Sequence, residues 1–298
     1  MKLIVSDLDG TLLNSKQQIS PENIAALQAA QKQGIEIAFA TGRTYANALA
    51  LAKKAGLRPH IISNHGAFAY TKEGERLRTV AIETQHVEHA VKWLTDREYV
   101  YHVCTENHTF VPPDIDKELQ RDYDQVKQPI PNLTSKRVQH VIQIIDSIDG
   151  VKVIDDLEEL FKQNHVFGSI VAMTFDREKL QTGRDYFKNY EGLTMTVAGH
   201  DIFEMIHTSA SKGSALEDLA AHMKISLKDV LAVGDNFNDI SMLKRAGISV
   251  AIGNAEEEVK KICKYQTLTN DQHGVAHIIQ KVLGASFDTA GGLSLCDC

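Results

Sequence analysis

The sequence predicts an α/β fold with a separate α+β unit inserted into it, and three observations carry that expectation. Short apolar runs of strand length alternate with helical segments up to about residue 82, the rhythm breaks into hairpin-like pairs over 83–205, and it returns after Ser211. Strand–helix–strand order demands right-handed crossovers and a parallel sheet with helices on both faces. Strands joined by short turns pair antiparallel instead. The expected organisation is therefore a discontinuous core over 1–82 and 206–284, an insertion over 83–205, and a stretch at 285–298 with no assigned role.

Taken in order, residues 2–6 (Lys-Leu-Ile-Val-Ser) are apolar enough for a strand buried on both faces. Ser20 and Pro21 fit the N-cap and first position of a helix that Gly34 closes. Residues 35–40 form the second strand, 44–55 a helix stopped by Gly56, and His60–Ser63 the third strand. In the insertion, a helix around 86–97 leads into a strand pair at 99–104 and 108–111. Pro112, Pro113, Pro129 and Pro131 then punctuate a charged, loop-rich stretch. Residues 138–145 and 166–175 are strand candidates, 177–190 a helix, and 193–198 with 202–206 a further strand pair. The core resumes with helix 212–223, strand 230–233, helix 239–246 and strand 249–252.

A chain of 298 residues is long enough for two domains and a large core. With 43% hydrophobic and 24% charged residues it reads as an ordinary soluble globular protein, and a net charge of −7 argues against a broad nucleic-acid or membrane-binding face. An anionic substrate would have to be held by a few local cations. The apolar runs are too short to span a bilayer, and Asp7 and Asp9 interrupt the first one, so no signal-peptide pattern is present and the cytoplasm is the expected compartment. Cys104, Cys263, Cys296 and Cys298 are too few and too uneven for a disulfide framework. Cys296-Asp297-Cys298 could hook a soft metal, although a mobile tail is the plainer reading.

Four segments at strand or helix ends carry candidate chemistry. Asp7-Leu8-Asp9-Gly10-Thr11 places two carboxylates just after the first strand, where open parallel sheets bind ligands. Such acids repel unless a cation or a shared proton relieves them, and Mg²⁺ is a natural oxygen-seeking partner. A carboxylate nucleophile with a second carboxyl two residues on is a plausible aspartyl-phosphate site. Thr41-Gly42-Arg43, at the end of the second strand, offers a hydroxyl and helix-start N–H groups to an anion, or is an ordinary turn. Lys212, in Ser211-Lys212-Gly213-Ser214, opens a helix at the end the macrodipole disfavours for a cation. It serves an anion there or is solvated. Gly234-Asp235-Asn236-Phe237-Asn238-Asp239 crowds two acids and two amides beyond a strand, which suits a cation site better than a plain Asp-Asn turn.

In order and spacing these segments resemble the four motifs of the haloacid dehalogenase superfamily of phosphohydrolases, and the long insertion resembles that of its Cof-like subfamily, as does Thr269-Asn270-Asp271-Gln272-His273-Gly274-Val275. The likeness spans roughly 1–283 and implies a Rossmann-like parallel sheet core with an inserted α/β cap. It further implies that Asp7 attacks phosphorus to form an aspartyl-phosphate, while Asp9 acts first as acid and then as base. Mg²⁺ would be held by Asp7, the Asp9 carbonyl, Asp235 and waters. Thr41, Lys212, the Leu8 and Gly42 N–H groups and Asn238 would hold the phosphoryl oxygens, with Asp239 orienting Lys212 or a metal-bound water and Arg43 as further support. One departure stands out. The subfamily usually reads Asn-Gly-Ala after the third strand, but here Asn64-His65-Gly66-Ala67 does, so either His65 or Asn64 takes the place of the amide.

The expected activity is thus Mg²⁺-dependent hydrolysis of phosphate monoesters of small metabolites, sugar phosphates or similar. A phosphotransferase or mutase would use the same aspartyl-phosphate with another acceptor, and a non-catalytic phospho-acceptor module would need no inserted domain. No nucleic acid or membrane is expected as partner. Substrate contacts in the insertion, such as Tyr101, His108 and Arg137, cannot be told from ordinary surface residues in the sequence alone.

Overall fold

The computed structural model describes residues 1–126, 134–146, 148, 150–155, 157–197 and 201–284. Pro129, Pro131, Ala198 and the 285–298 stretch with its Cys296-Asp297-Cys298 lie outside the described residues. The strands, in chain order, are β1 (Leu3–Ser6), β2 (Glu36–Ala40), β3 (His60–Ser63), β4 (Phe68–Tyr70), β5 (Arg76–Thr79), β6 (Val100–Thr105) and β7 (Thr109–Val111). They continue with β8 (Val151–Val153), β9 (Phe167–Met173), β10 (Leu193–Thr196), β11 (Ile202–His207), β12 (Val230–Gly234), β13 (Ile248–Ala251) and β14 (Tyr265–Gln266).

Eight of them form one sheet in the order β14-β13-β12-β1-β2-β3-β4-β5. It is parallel from β14 to β3, and its last two strands turn antiparallel. β1 lies in the middle because Leu3, Ile4 and Val5 are fully buried, as an apolar strand with no polar face must be. From β1 the chain winds outward through β2 and β3, and the later strands wind outward the other way through β12, β13 and β14. The strand order therefore reverses between β1 and β12, and a crevice opens at their carboxyl ends. Helix Pro21–Lys32, capped by the Ser20 hydroxyl, and helix Gly274–Gly284 cover one another beside this sheet with Ala26, Leu27, Ile278 and Ile279 in a shared core.

The strands between 100 and 207 form a second sheet, β10-β11-β9-β6-β7-β8. It is antiparallel apart from the β7–β8 pair, which is parallel. One face, with Tyr101, Val103, Ile170, Ala172, Phe203 and Met205, packs on helices Thr84–Thr95 and Arg177–Lys188. The other, with Val100, Val171 and Met173, packs on helices Ile115–Asp124 and Ser135–Asp146.

Three expectations need correction. Residues 138–145 are not a strand but lie in helix Ser135–Asp146, because Val138, Val141, Ile142 and Ile145 recur at helical spacing and share one face against the second sheet. The proline-marked stretch contains helix Ile115–Asp124. The helix expected over 239–246 shrinks to Ile240–Leu243, preceded by a tight turn at Phe237–Asp239 that Asn236 and Asp239 fasten in a reciprocal capping box.

Candidate active site

Asp7 and Asp235 emerge on the two sides of the crevice. The Asp7 N–H donates to the Val233 carbonyl at 3.0 Å, so the first acid is pinned to the neighbouring strand by the sheet itself. The chain then makes a tight turn through Leu8, Asp9 and Gly10, with Gly10 at φ +80°. A Cβ at Gly10 would stand 2.5 Å from Asp235 Oδ2, so only glycine lets the turn pass beneath that carboxylate. Thr11 Oγ1 donates to Asp235 Oδ1 at 2.8 Å. Leu8 is fully buried.

Lys212 begins helix Lys212–His222, which Ser211 caps by accepting the Ser214 N–H. Its side chain is buried, and Nζ lies 2.6 Å from both Asp7 Oδ1 and Asp239 Oδ1. Asp239, also buried, uses its other oxygen to accept the N–H groups of Asp235 (3.0 Å) and Asn236 (3.1 Å). The row Asp7–Lys212–Asp239 is thus held at both ends by backbone. Burial pulls the Lys212 pKa down, but Asp239 and Asp7 outweigh it and hold the ammonium above its ordinary value. Burial pushes Asp7 well above the usual carboxylate range despite Lys212, with Asp239, Asp235 and Asp9 adding to the push. Burial and the neighbouring Asp239 raise Asp235 to about 7.

Carboxylate oxygens of Asp7, Asp235 and Asp239 come within 4.8 Å of one another around a single ammonium. Raised carboxylate pKa values in such a cluster mark a deficit of positive charge that a divalent cation would relieve. The donors are all hard oxygens, which suits Mg²⁺. Lys212 takes Oδ1 of Asp7 and Thr11 takes Oδ1 of Asp235, and the two carboxyl groups also meet one another, where a cation between them would replace that contact; both oxygens of Asp239 are engaged.

Asp9 is held apart from this row. Arg43 grips it with two bonds, Nε to Oδ2 at 2.8 Å and Nη2 to Oδ1 at 2.6 Å, and also reaches Asn47 (2.8 Å) and Gln17 (2.7 Å). The Asp9 side chain keeps 47% of its surface open at the cavity mouth, yet protein crowds it. That desolvation raises its pKa, but the guanidinium prevails and holds the carboxyl below its usual range. Thr41 is buried at the end of β2, where Oγ1 accepts the Arg43 N–H at 3.1 Å.

The Asn64-His65-Gly66 loop is left-handed at all three residues, with φ of 46°, 55° and 94°. His65, not Asn64, faces the cavity. Asn64 instead donates to the Thr105 carbonyl of the second sheet at 3.3 Å. The His65 ring covers Gly42, where a Cβ would meet Nε2 at 2.5 Å, so Gly42 has to be glycine for the ring to lie there. His65 Nδ1 lies 3.4 Å from Asn238 Nδ2, and Nε2 pairs with Glu204 of β11. Asp7, Asp9, Gly42, Arg43, Asp235 and Asn238 line one side of a cavity of about 320 Å³, and the second sheet lines the other.

The sequence pattern of the haloacid dehalogenase-like hydrolases matches residues 4–279. The chain belongs to this family. Within it, the chain falls with the Cof-like phosphatases, which carry an inserted cap. It is 36% identical over 285 residues to phosphatase YwpJ of Bacillus subtilis, covering 95% of this chain and all of YwpJ. It is 32% identical over 288 residues to the B. subtilis 5-amino-6-(5-phospho-D-ribitylamino)uracil phosphatase YwtE, covering 96% of this chain and all of that one. A haloacid dehalogenase-like hydrolase structure from B. subtilis superposes with a TM-score of 0.83 at 37% identity, covering 94% of this chain and 99% of the other.

Of the cap residues considered from the sequence, Arg137 lines the cavity, where it pairs with Asp201. Tyr101 faces the covering helices, and His108 lies in the β6–β7 turn. Thr11, His102 and Glu204 were not singled out from the sequence. Thr11 carried a local signal, since it belongs to the Asp7 segment. His102 and Glu204 carried none, because strand register alone brings them to the cavity. Among the described residues, no helix is long and apolar enough to cross a membrane.

Proposed function

We propose that this hydrolase removes phosphate from monoesters of small metabolites, with Mg²⁺ as cofactor, in the cytoplasm. The observation that carries this reading is the buried Asp7–Lys212–Asp239 row, with both Lys212 contacts at 2.6 Å, beside the Asp235 carboxyl group. An Asp7 oxygen attacks phosphorus, the bond to the leaving oxygen breaks, and Asp9 gives that oxygen a proton. Asp9 then takes a proton from water, the water oxygen attacks phosphorus, and the bond to Asp7 breaks to release phosphate. Lys212 and the Thr41 hydroxyl balance charge on the phosphoryl oxygens, aided by the Leu8 and Gly42 N–H groups and Asn238. Asp239 keeps Lys212 aimed at Asp7. Asp7, the Asp9 carbonyl and Asp235 would hold Mg²⁺, which supplies charge neutralisation at the phosphoryl group. Since Arg43 grips Asp9, the acid step requires that grip to loosen.

Residues 83–205 serve as the cap in this reading, closing over the leaving group while 1–82 and 206–284 perform the chemistry. The relative named for a phosphorylated ribitylamino-uracil acts on a small phosphorylated metabolite of the proposed kind. Turnover of several dozen phosphorylated metabolites, sugar phosphates included, with Mg²⁺ and an Asp7→Asn control, tests the proposal. Phosphate release that is lost in the control is expected. No release from any ester, or release only when an acceptor alcohol is added, would overturn it.

A further inference from the structure

The cavity wall opposite Asp7 is set by the register of the cap sheet. Val171 on β9 is the partner of both His102 on β6 and Glu204 on β11, so the three form one row across the sheet. Two-residue alternation puts Cys104, Met173 and Ile202 on the same face, and all six line the cavity. Helix Ser135–Asp146 adds Val141 and Ile145. The wall is therefore largely apolar, with His102 and Glu204 as polar groups on either side of Val171 and the Arg137–Asp201 ion pair also lining the cavity.

Both members of that polar pair are buried, His102 at 8% and Glu204 at 7% exposure. Burial pushes the His102 imidazole down to about 4, so near neutral pH it offers one donor and one acceptor nitrogen. Its Nδ1 has no hydrogen-bond partner among the described residues. Burial raises the Glu204 pKa, but His65, with His102 and Lys212, outweighs that and holds the carboxyl below its ordinary value. His65 meets Oε2, and the Glu204 carboxylate lines the cavity. A buried polar atom left unpaired is costly, and a bound ligand is one way to supply the missing bond. His65 also ties this pair to the chemistry, because its ring covers Gly42 and meets Asn238.

We propose that Glu204 and His102 are specificity-determining residues that select a leaving group consisting of a mainly apolar ring with a hydrogen-bond donor at its edge. Glu204 accepts from that donor, the free nitrogen of His102 pairs with the same edge, and Val171, Met173 and Ile145 cover the ring. A polyhydroxylated sugar would turn several hydroxyls toward apolar side chains and leave them unpaired. This inference rests on the phosphatase reading above.

Phenyl phosphate and 4-hydroxyphenyl phosphate test it, since the two leaving groups are similar in reactivity and differ by one hydroxyl. With Mg²⁺, the protein should prefer the hydroxylated ester by roughly tenfold or more in kcat/KM, mainly through KM. Glucose 6-phosphate should show a KM several-fold higher than the hydroxylated ester. In Glu204→Gln the preference should fall toward unity, and His102→Leu should reduce it independently. Circular dichroism establishes that each variant is folded. If Glu204 only ties the cap to His65, Glu204→Gln lowers both esters in the same proportion, and that result overturns the proposal. So does an absent preference in the unaltered protein, or a lower KM for glucose 6-phosphate. If neither ester is turned over, the phosphatase reading is judged by the wider panel of esters above. Calorimetric binding of the two esters to the Asp7→Asn protein then decides the inference, with equal affinities overturning it.

Discussion

At the floor of the cavity, Asp7, Lys212 and Asp239 stand in a buried row whose donors and acceptors are matched at 2.6 Å, whereas at the wall His102 and Glu204 stand among Val171, Met173 and Ile202 with hydrogen-bonding capacity to spare. The floor is assembled at the ends of parallel strands, with each acid pinned by a backbone N–H or a neighbouring side chain. The wall is assembled across antiparallel strands, where register decides which side chains meet. The difference separates two tasks. On the reading proposed above, the floor serves every phosphate ester alike, while the wall, with the unpaired His102 nitrogen, distinguishes one leaving group from another.

The sharpest way to break this division is Asp7→Asn, which keeps the shape of the floor and removes the proposed nucleophile. Turnover of every ester should fall about a thousandfold or more, with the melting temperature held. Chelation of divalent ions should abolish turnover in the same ester-independent way, and Mg²⁺ should restore it. Near-normal turnover by a folded Asp7→Asn protein would remove Asp7 as the nucleophile. Lys212→Met comes next. It strands Asp7 and Asp239 in a buried place, so about 3–5 kcal/mol of stability should be lost together with most activity. Chemical denaturation and a panel of esters would show whether the loss is uniform. A change in ester preference would place Lys212 in the selection as well.

The same contrast explains what could be read from the sequence. Asp7, Thr41, Lys212 and Asp235 each follow an apolar run or open a helix, so local pattern announced a crevice at strand ends, and the structure brings Asp7, Lys212, Asp235 and Asp239 together. The 138–145 segment misled because its dense Val and Ile content fits a strand as well as a helix, and only the partners of Val138 and Ile145 decide. Glu204 and His102 were illegible for a stronger reason. They lie on different strands with Val171 of a third between them, and nothing near either residue encodes that register. The Arg43–Asp9 grip was equally hidden, because each residue looked complete within its own segment.

At the wall, the buried His102 gives a pH signature that the floor does not share. Burial lowers its pKa to about 4, against the ordinary 6.5, with Glu204 opposing only in part. Between those values the unfolded chain binds a proton that the folded protein refuses. Stability is therefore fully present above about 6.5 and is lost as pH falls toward 4, by at most about 3 kcal/mol. His102→Gln should flatten this limb in urea midpoints measured across that range. An unchanged limb would mean that His102 takes up its proton in the folded protein as readily as in the unfolded chain.

The smallest expected effect lies at the border between floor and wall, where Arg43 holds Asp9. Arg43→Met removes the guanidinium that lowers the Asp9 pKa while leaving the desolvation that raises it, so that pKa should rise. In the proposed mechanism Asp9 has to be protonated to assist the leaving oxygen, and kcat/KM reports the step that forms the phospho-enzyme. The alkaline fall in kcat/KM should therefore move to higher pH in the variant. Its maximum should drop only about tenfold, since the carboxyl loses its two-point anchor but remains in place. Arg43→Lys keeps the charge without the fork, so it should restore the position of the limb more fully than the height of the maximum. If the limb stays put in Arg43→Met, the proton given to the leaving group does not come from Asp9, and the grip serves only to hold the Gln17 and Asn47 side chains around the cavity mouth.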